Sequence, residues 1–192
     1  MSTNGSSPEG AAPTQKTAGP RGFPRLPRHA RRVWLVVHVV TSVGWLGLTL
    51  GLLALGINGL SGPPDQVHAS YLAMALFTDW LLPVISLASL ISGVLLALGT
   101  PWGLLRHRWV AVKFWVSIAA TTASLFALRV IVDHAADQAA TPGYHGPHAL
   151  VTGPSVALAA YLLNTVLSVV KPWGLTARGR RARRRTAGDR VR

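Results

Sequence analysis

Four long apolar runs divide the chain, and polar segments separate them. The runs cover about residues 33–57, 71–99, 109–132 and 154–170. A helix crosses a bilayer with about 20 mostly apolar residues, at a rise of about 1.5 Å per residue. Helices are expected because they satisfy every backbone N–H and C=O internally, which lipid cannot do. The pattern therefore predicts an all-α polytopic membrane protein with four transmembrane helices in an up-down bundle.

The second run is the longest of the four. It covers 29 residues, more than a helix perpendicular to the membrane needs, and it contains Pro83. A proline removes a backbone hydrogen bond, and a long apolar stretch fits a bilayer by tilting. We expect this helix to tilt, or to kink near Pro83.

The two ends of the chain are polar and basic. Residues 1–32 are rich in Ser, Thr, Gly, Pro and Arg, so a disordered cytoplasmic tail is expected there. Residues 172–192 form a polybasic tail, which favours binding to anionic lipid. The arginines expected to contact lipid are Arg180, Arg181, Arg183, Arg184 and Arg185. No nucleic-acid partner is expected, because the tail has neither a fold nor aromatic platforms.

The basic residues lie on one side of the predicted membrane. The chain has 19 Lys and Arg against 6 Asp and Glu, a net charge of +13. All of these cations except Lys113 and Arg129 lie before the first run, in the 101–108 loop or after the fourth run. The loops at 58–70 and 133–149 contain none. We therefore expect the protein to span the inner membrane with both termini in the cytoplasm, as the positive-inside rule predicts.

Four ionisable residues fall within the apolar runs: His38, Asp79, Lys113 and Arg129. Such residues are costly in hydrocarbon and are functional candidates. Asp79 and Arg129 each lie about 20 residues from the cytoplasmic end of their helix, roughly 30 Å along the axis. We therefore expect an ion pair between them, or between Arg129 and Asp133 one helical turn further on.

His38 and Lys113 share a level near the inner boundary. Lys113 is expected to extend its ammonium group toward the headgroups. His38 is expected to be a neutral imidazole, bonded to a hydroxyl such as that of Ser42 or to a backbone carbonyl. Ligation of a metal or haem, and a role in proton transfer, are the alternatives for His38.

Small residues form a stripe on the first helix. Gly44, Gly47 and Gly51 include a G-x-x-x-G pattern, which permits close contact between helices. The pattern indicates packing, either within the bundle or between chains of a homo-oligomer.

Histidines also occur in the outer loops. His134, His145 and His148 lie near Asp133 and Asp137, a mixture of ligands that suits zinc or copper. With His38, these histidines are the candidate metal ligands. The chain has no cysteine, so thiolate metal sites and disulfides are excluded.

Two short motifs resemble a known family. The segments "HVVTSVGWLG", which begins at His38, and "RHRWVAVKFW", which contains Lys113, are similar to bacterial copper resistance protein D-like membrane modules. The resemblance covers about residues 33–171 and extends to a group of small predicted integral membrane proteins. It implies a helical bundle and, for the named family, copper uptake across the inner membrane. The only methionines available as sulfur ligands for copper(I) are Met1 and Met74.

The function expected from these patterns is structural. No nucleophile-base set, phosphate loop or H-E-x-x-H motif is present, so the chain is not expected to be an enzyme. A structural or partner-binding membrane subunit is the leading interpretation. One alternative is a permease for copper, another metal ion or protons. The other is a haem-binding electron-transfer subunit, in which a dimer would supply a second axial histidine.

Overall fold

The fold consists of four long antiparallel helices, which confirms the predicted fold class. In the computed structural model the described residues are 26–99, 104, 107–141, 143–171, 174–177 and 180–181. The helices are α1 (Arg28–Ser61), α2 (Pro64–Leu98), α3 (Arg108–Gln138) and α4 (Ala149–Val170). All four are long and apolar enough to cross a membrane, so the chain is a multi-pass membrane protein by its four candidate spans.

Each helix packs against its neighbours in the chain, and α4 closes the ring by packing against α1. We call the end where α1 begins and α4 ends the terminal face. The opposite end, which carries the short link 62–63 and the loop 139–148, is the loop face. The two halves of the bundle next to these faces are the terminal half and the loop half.

The helices extend beyond the apolar runs. Because α1 begins at Arg28, the segment 28–32 is helical, which corrects the prediction of a disordered tail there. Residues 1–25 of that tail lie outside the described residues. The fourth helix begins at Ala149, so Pro154 lies inside α4 instead of beginning it. Helix α3 likewise continues to Gln138, beyond the predicted end at residue 132.

The apolar core lies mainly in the loop half. Tyr71, Met74, Val132 and Leu150 are each 0% exposed, and Leu52 is 1% exposed. The outward surface is also apolar: its exposed side chains include Trp80, Trp115, Phe126, Val166 and Val169. A bundle that lipid surrounds is expected to have apolar side chains both in its core and on its outer surface.

The Tyr71 hydroxyl joins three parts of the loop half. It donates a hydrogen bond to the Gly59 carbonyl of α1 and accepts one from the Gly146 backbone N–H, at 2.7 Å. Its ring lies so close to α1 that a Cβ at Gly59 would be 2.4 Å from a ring carbon. Only glycine fits at this position without displacing the tyrosine.

A second close contact joins α1 to α4. A Cβ at Gly56 would lie 2.4 Å from the Leu150 carbonyl oxygen. Pro154 has no N–H, so it cannot donate the usual helical hydrogen bond to that carbonyl. The absent side chain of Gly56 and the absent N–H of Pro154 together allow the two helices to meet at this carbonyl.

The predicted glycine stripe makes no comparable contact. Nothing lies within 4 Å of a Cβ built at Gly47 or Gly51, and a Cβ at Gly44 would meet only Ile85, at 3.9 Å. Among the glycines of α1, the close approaches within the bundle are therefore at Gly56 and Gly59, which corrects the expectation for packing inside one chain. Packing of Gly47 and Gly51 between two chains stays a prediction.

Two helices contain a π-helical segment: Phe77–Leu81 in α2 and Ala123–Leu128 in α3. The first lies directly before Pro83, where a tilt or kink was expected. Buried residues of α2 recur every four positions across it, at Met74, Thr78, Leu82 and Ser86. A π-helix has more residues per turn than the 3.6 of an α-helix, so this wider spacing keeps one face inward.

Candidate functional site

Polar side chains line the inside of the terminal half on all four helices. They recur at intervals of three or four residues, which places each set on one helix face. The set consists of His38 and Ser42 on α1, Ser86, Ser89 and Ser92 on α2, Lys113, Ser117, Thr121 and Ser124 on α3, and Asn164 and Ser168 on α4. We call this set the polar interior. Every member is buried or half-buried.

His38 is held by α2. Its Nδ1 atom lies 3.1 Å from the Ser89 carbonyl oxygen and 3.1 Å from the Ser92 hydroxyl. A carbonyl only accepts, so Nδ1 donates in that bond, and Nε2 of the neutral imidazole keeps its lone pair. The predicted kinds of partner, a hydroxyl and a carbonyl, are confirmed. Ser42 was the wrong example, because its hydroxyl bonds to the Ser89 hydroxyl instead, at 2.9 Å.

Gly93 makes room for the imidazole. A Cβ at this position would lie 3.0 Å from Cε1 of His38 and 3.4 Å from Nδ1. Any larger residue would therefore press on the ring. The orientation of His38 depends on this glycine as well as on its two hydrogen bonds.

Lys113 is bonded within the bundle. Its ammonium group donates to the Ser168 hydroxyl of α4, which itself donates to the Asn164 carbonyl at 3.0 Å. One turn away, the Asn164 side-chain amide donates to the Ser117 hydroxyl at 3.1 Å. The ammonium group was expected to extend toward the headgroups. It bonds instead to a hydroxyl of the neighbouring helix.

Some buried polar atoms of this region have no partner among the described residues. They include the Thr121 hydroxyl and the Asn164 side-chain oxygen, and Thr121 is only 4% exposed. A buried polar atom without a hydrogen bond costs free energy, and such atoms usually bind ordered water or an ion. The polar interior therefore has capacity for bound water or solute.

The ion pair of Asp79 and Arg129 is confirmed. Nη2 of Arg129 lies 2.9 Å from Oδ1 of Asp79, and Nε lies 3.8 Å from Oδ2 of Asp133. Asp79 belongs to the π segment of α2, and Arg129 directly follows that of α3. The three side chains are between 36% and 49% exposed, so they link two helices at the outer surface of the bundle.

The structure does not bring the candidate metal ligands together. His134, His145 and His148 are exposed in the loop half, whereas His38 contacts Ser89 in the terminal half. The described ranges contain no group of three or more His, Cys, Asp or Glu that could hold a metal ion. His145 and His68 line an open cavity of about 360 Å³ at the loop face.

His38 is the residue of the described spans best suited to hold a metal or a haem iron. Metal-binding histidines usually donate their other N–H to a carbonyl or carboxylate, as Nδ1 does here to Ser89. The remaining nitrogen, Nε2, would be the ligand atom. No other histidine in the apolar part of the four helices could serve as a second axial ligand, so haem would need a second chain.

The predicted lipid-binding arginines are only partly within the described residues. Arg180 and Arg181 are exposed at the terminal face, and Arg180 donates to the Leu175 carbonyl at 3.0 Å. Arg183, Arg184 and Arg185 lie outside the described residues. Lipid binding by this segment stays a prediction.

Sequence reasoning missed most members of the polar interior. Ser89 and Ser92 hold His38, and Ser168, which bonds to Asn164, holds Lys113. None of these four residues is ionisable. The visible signal was the serine repeat at every third residue of "SLASLIS" in α2.

Comparisons with protein-family models, with curated proteins and with solved structures gave no match. The resemblance to copper resistance protein D-like modules therefore stays a prediction from two short motifs.

Proposed function

We propose that the protein is a structural or partner-binding subunit of the inner membrane, without catalytic activity. One observation carries this proposal: the loop half is closed by the buried core and by the Tyr71 bridge. A permease needs a route for its substrate through both halves. Here the polar interior meets a core in which Leu52, Tyr71 and Met74 are at most 1% exposed.

The ionisable residues support the same function. Asp79 and Arg129 neutralise each other across two helices, as a structural ion pair does. His38 and Lys113 are each hydrogen-bonded to a neighbouring helix. Such contacts join helices into one unit and need no transported substrate.

Flux through reconstituted vesicles tests this proposal. The full chain is inserted into liposomes that contain a pH-sensitive or metal-sensitive dye, and protons, copper and zinc are supplied outside. We expect the same flux as in protein-free vesicles. Protein-dependent flux that His38→Ala abolishes, while His134→Ala leaves it unchanged, would contradict the proposal and favour the permease.

Metal or haem binding at His38 is the second candidate. The observation that favours it is the bond from Nδ1 to Ser89, which leaves Nε2 as a ligand atom. Elemental analysis and an absorption spectrum of the detergent-purified protein test it. Copper, zinc or haem iron near one equivalent, lost in His38→Ala but kept in His134→Ala, would support it. A protein without bound metal would exclude it.

The orientation is also a proposal, supported by the basic residues at the terminal face. Arg28, Arg108 and Arg180 lie there, and we place this face in the cytoplasm with anionic lipid. The chain has no cysteine, so single-cysteine variants give a clean test. In intact spheroplasts, an impermeant maleimide should label Ala140→Cys at the loop face and leave Ala177→Cys unlabelled. The opposite labelling would invert the topology.

A further inference from the structure

Among the described residues, no carboxylate lies in the same half of the bundle as Lys113. The four carboxylates among the described residues, those of Asp65, Asp79, Asp133 and Asp137, all belong to the loop half. Asp79 is 19 residues from the terminal end of α2 and Lys113 is five residues from that of α3. At about 1.5 Å per residue, roughly 20 Å along the bundle axis separates the two charges.

The groups around Lys113 include several hydrogen-bond donors with unused capacity, beside one unpartnered acceptor, the side-chain oxygen of Asn164. An ammonium group has three donors, and one of them is used on Ser168. The Asn164 amide has two donors and uses one on Ser117, whose own hydroxyl hydrogen has no acceptor among the described residues. Several N–H and O–H groups therefore face one part of the polar interior.

The surroundings favour a negative solute over a cation. The polar interior contains no carboxylate, and the terminal face above it carries exposed arginines. A cluster of positive charge at the entrance to a low-dielectric site raises the local concentration of anions. The unpartnered hydroxyl of Thr121, two turns deeper on α3 than Lys113, indicates that the site accommodates solvent or solute.

We propose that Lys113, Ser117 and Asn164 form a binding site for a small inorganic anion between α3 and α4. Lysine acts as a compact point charge and lacks the planar fork with which arginine selects carboxylates and phosphates. The site therefore suits a halide or a similarly small anion that hydroxyl and amide donors surround. The ammonium is held in place by Ser168, so the site exists before the anion enters.

This site is independent of the proposed structural function. An anion held between α3 and α4 would neutralise Lys113 and join the two helices. It would need no route through the loop half, and the closed core does not prevent its entry from the terminal face.

Chloride-dependent stability tests the site. The full chain in lipid-free detergent is melted in sodium gluconate and in sodium chloride at the same ionic strength. Chloride at about ten times its dissociation constant should raise the folding equilibrium constant about 11-fold, which corresponds to a melting temperature about 3–6 °C higher. No difference between the two salts would overturn the proposal.

Variants locate the effect. Lys113→Met and Ser117→Ala should each reduce the chloride effect, whereas the exposed control Lys171→Met should keep it. If Lys113→Met does not fold, the test rests on Ser117→Ala and on the wild-type protein. For the wild type, the line width of the chloride NMR signal is measured. The site would be refuted if Ser117→Ala kept the full effect of chloride on the melting temperature. It would also be refuted if the wild type did not broaden the chloride NMR line, or if added bromide did not reverse the broadening. Stabilisation by phosphatidylglycerol but not by chloride would assign a lipid headgroup instead and also overturn it.

Discussion

The contact between Gly56 and Leu150 gives a sharp test of how α1 and α4 pack. In Gly56→Ala the new Cβ would lie 2.4 Å from the Leu150 carbonyl oxygen and 3.0 Å from its carbonyl carbon. Both atoms are backbone, so no side-chain rotation can relieve the clash. Ordinary contacts begin at 3.4 Å, and the helices must separate by about 1 Å at this point.

The cost follows from two opposing effects. Overpacking of a tight contact typically costs about 1–3 kcal/mol. Alanine is a better helix former than glycine by about 1 kcal/mol, which offsets part of the loss. We expect a net destabilisation of about 1 kcal/mol, seen as a melting temperature about 2–4 °C lower in detergent by circular dichroism.

The matched control lies on the same helix. Nothing is within 4 Å of a Cβ at Gly47, so Gly47→Ala should melt at or above the wild-type temperature in a monomeric preparation. The reasoning would be refuted if Gly56→Ala were as stable as Gly47→Ala. That result would mean that α1 and α4 do not approach closely at Leu150.

Two further substitutions address the loop half, each measured by thermal unfolding. Tyr71→Phe should cost about 1–3 kcal/mol because it removes the hydroxyl that bridges two buried backbone groups, whereas Tyr144→Phe should cost less. Equal losses would argue against the bridge. Asp79→Asn should cost about 1 kcal/mol, since the pair with Arg129 is partly exposed. Asp133→Asn should cost less because its contact with Arg129 is 3.8 Å long. A larger loss of stability in Asp133→Asn than in Asp79→Asn would mean that Asp133 is the main partner of Arg129.

The sequence predicts much of the architecture because the bilayer sets it. Length and hydropathy determine the four helices, and distance along a helix determines depth. Asp79 and Arg129 could be paired for that reason: both lie about 30 Å from the same end of the bundle. The pairing is found in the structure at 2.9 Å.

Depth does not determine which direction a side chain faces around the helix axis. His38 was placed at the correct level, but its partners proved to be Ser89 and Ser92 of another helix. For the same reason the sequence could not distinguish packing of the glycine stripe within the bundle from packing between chains, and Gly47 faces outward. The relative rotation of helices depends on the whole set of contacts, which one sequence does not specify.

The π segments differ in how visible they are in the sequence. In α2, the sequence signal is Pro83, close after the segment; the repeat of inward residues at every fourth position is seen only in the structure. In α3, Ala123–Leu128 contains neither proline nor glycine.

The π segment of α2 makes the number of residues in that helix as important as their identity. Each residue of an α-helix turns the chain by about 100°. The wider turn of Phe77–Leu81 takes up about one residue without that rotation, which keeps Ser86 inward together with Met74. Deleting one residue within the segment would let it become α-helical and leave both ends of α2 facing the bundle, whereas inserting a further residue would turn the serine end away by about 100°. The segment therefore lets α2 tolerate the loss of one residue better than the gain of one.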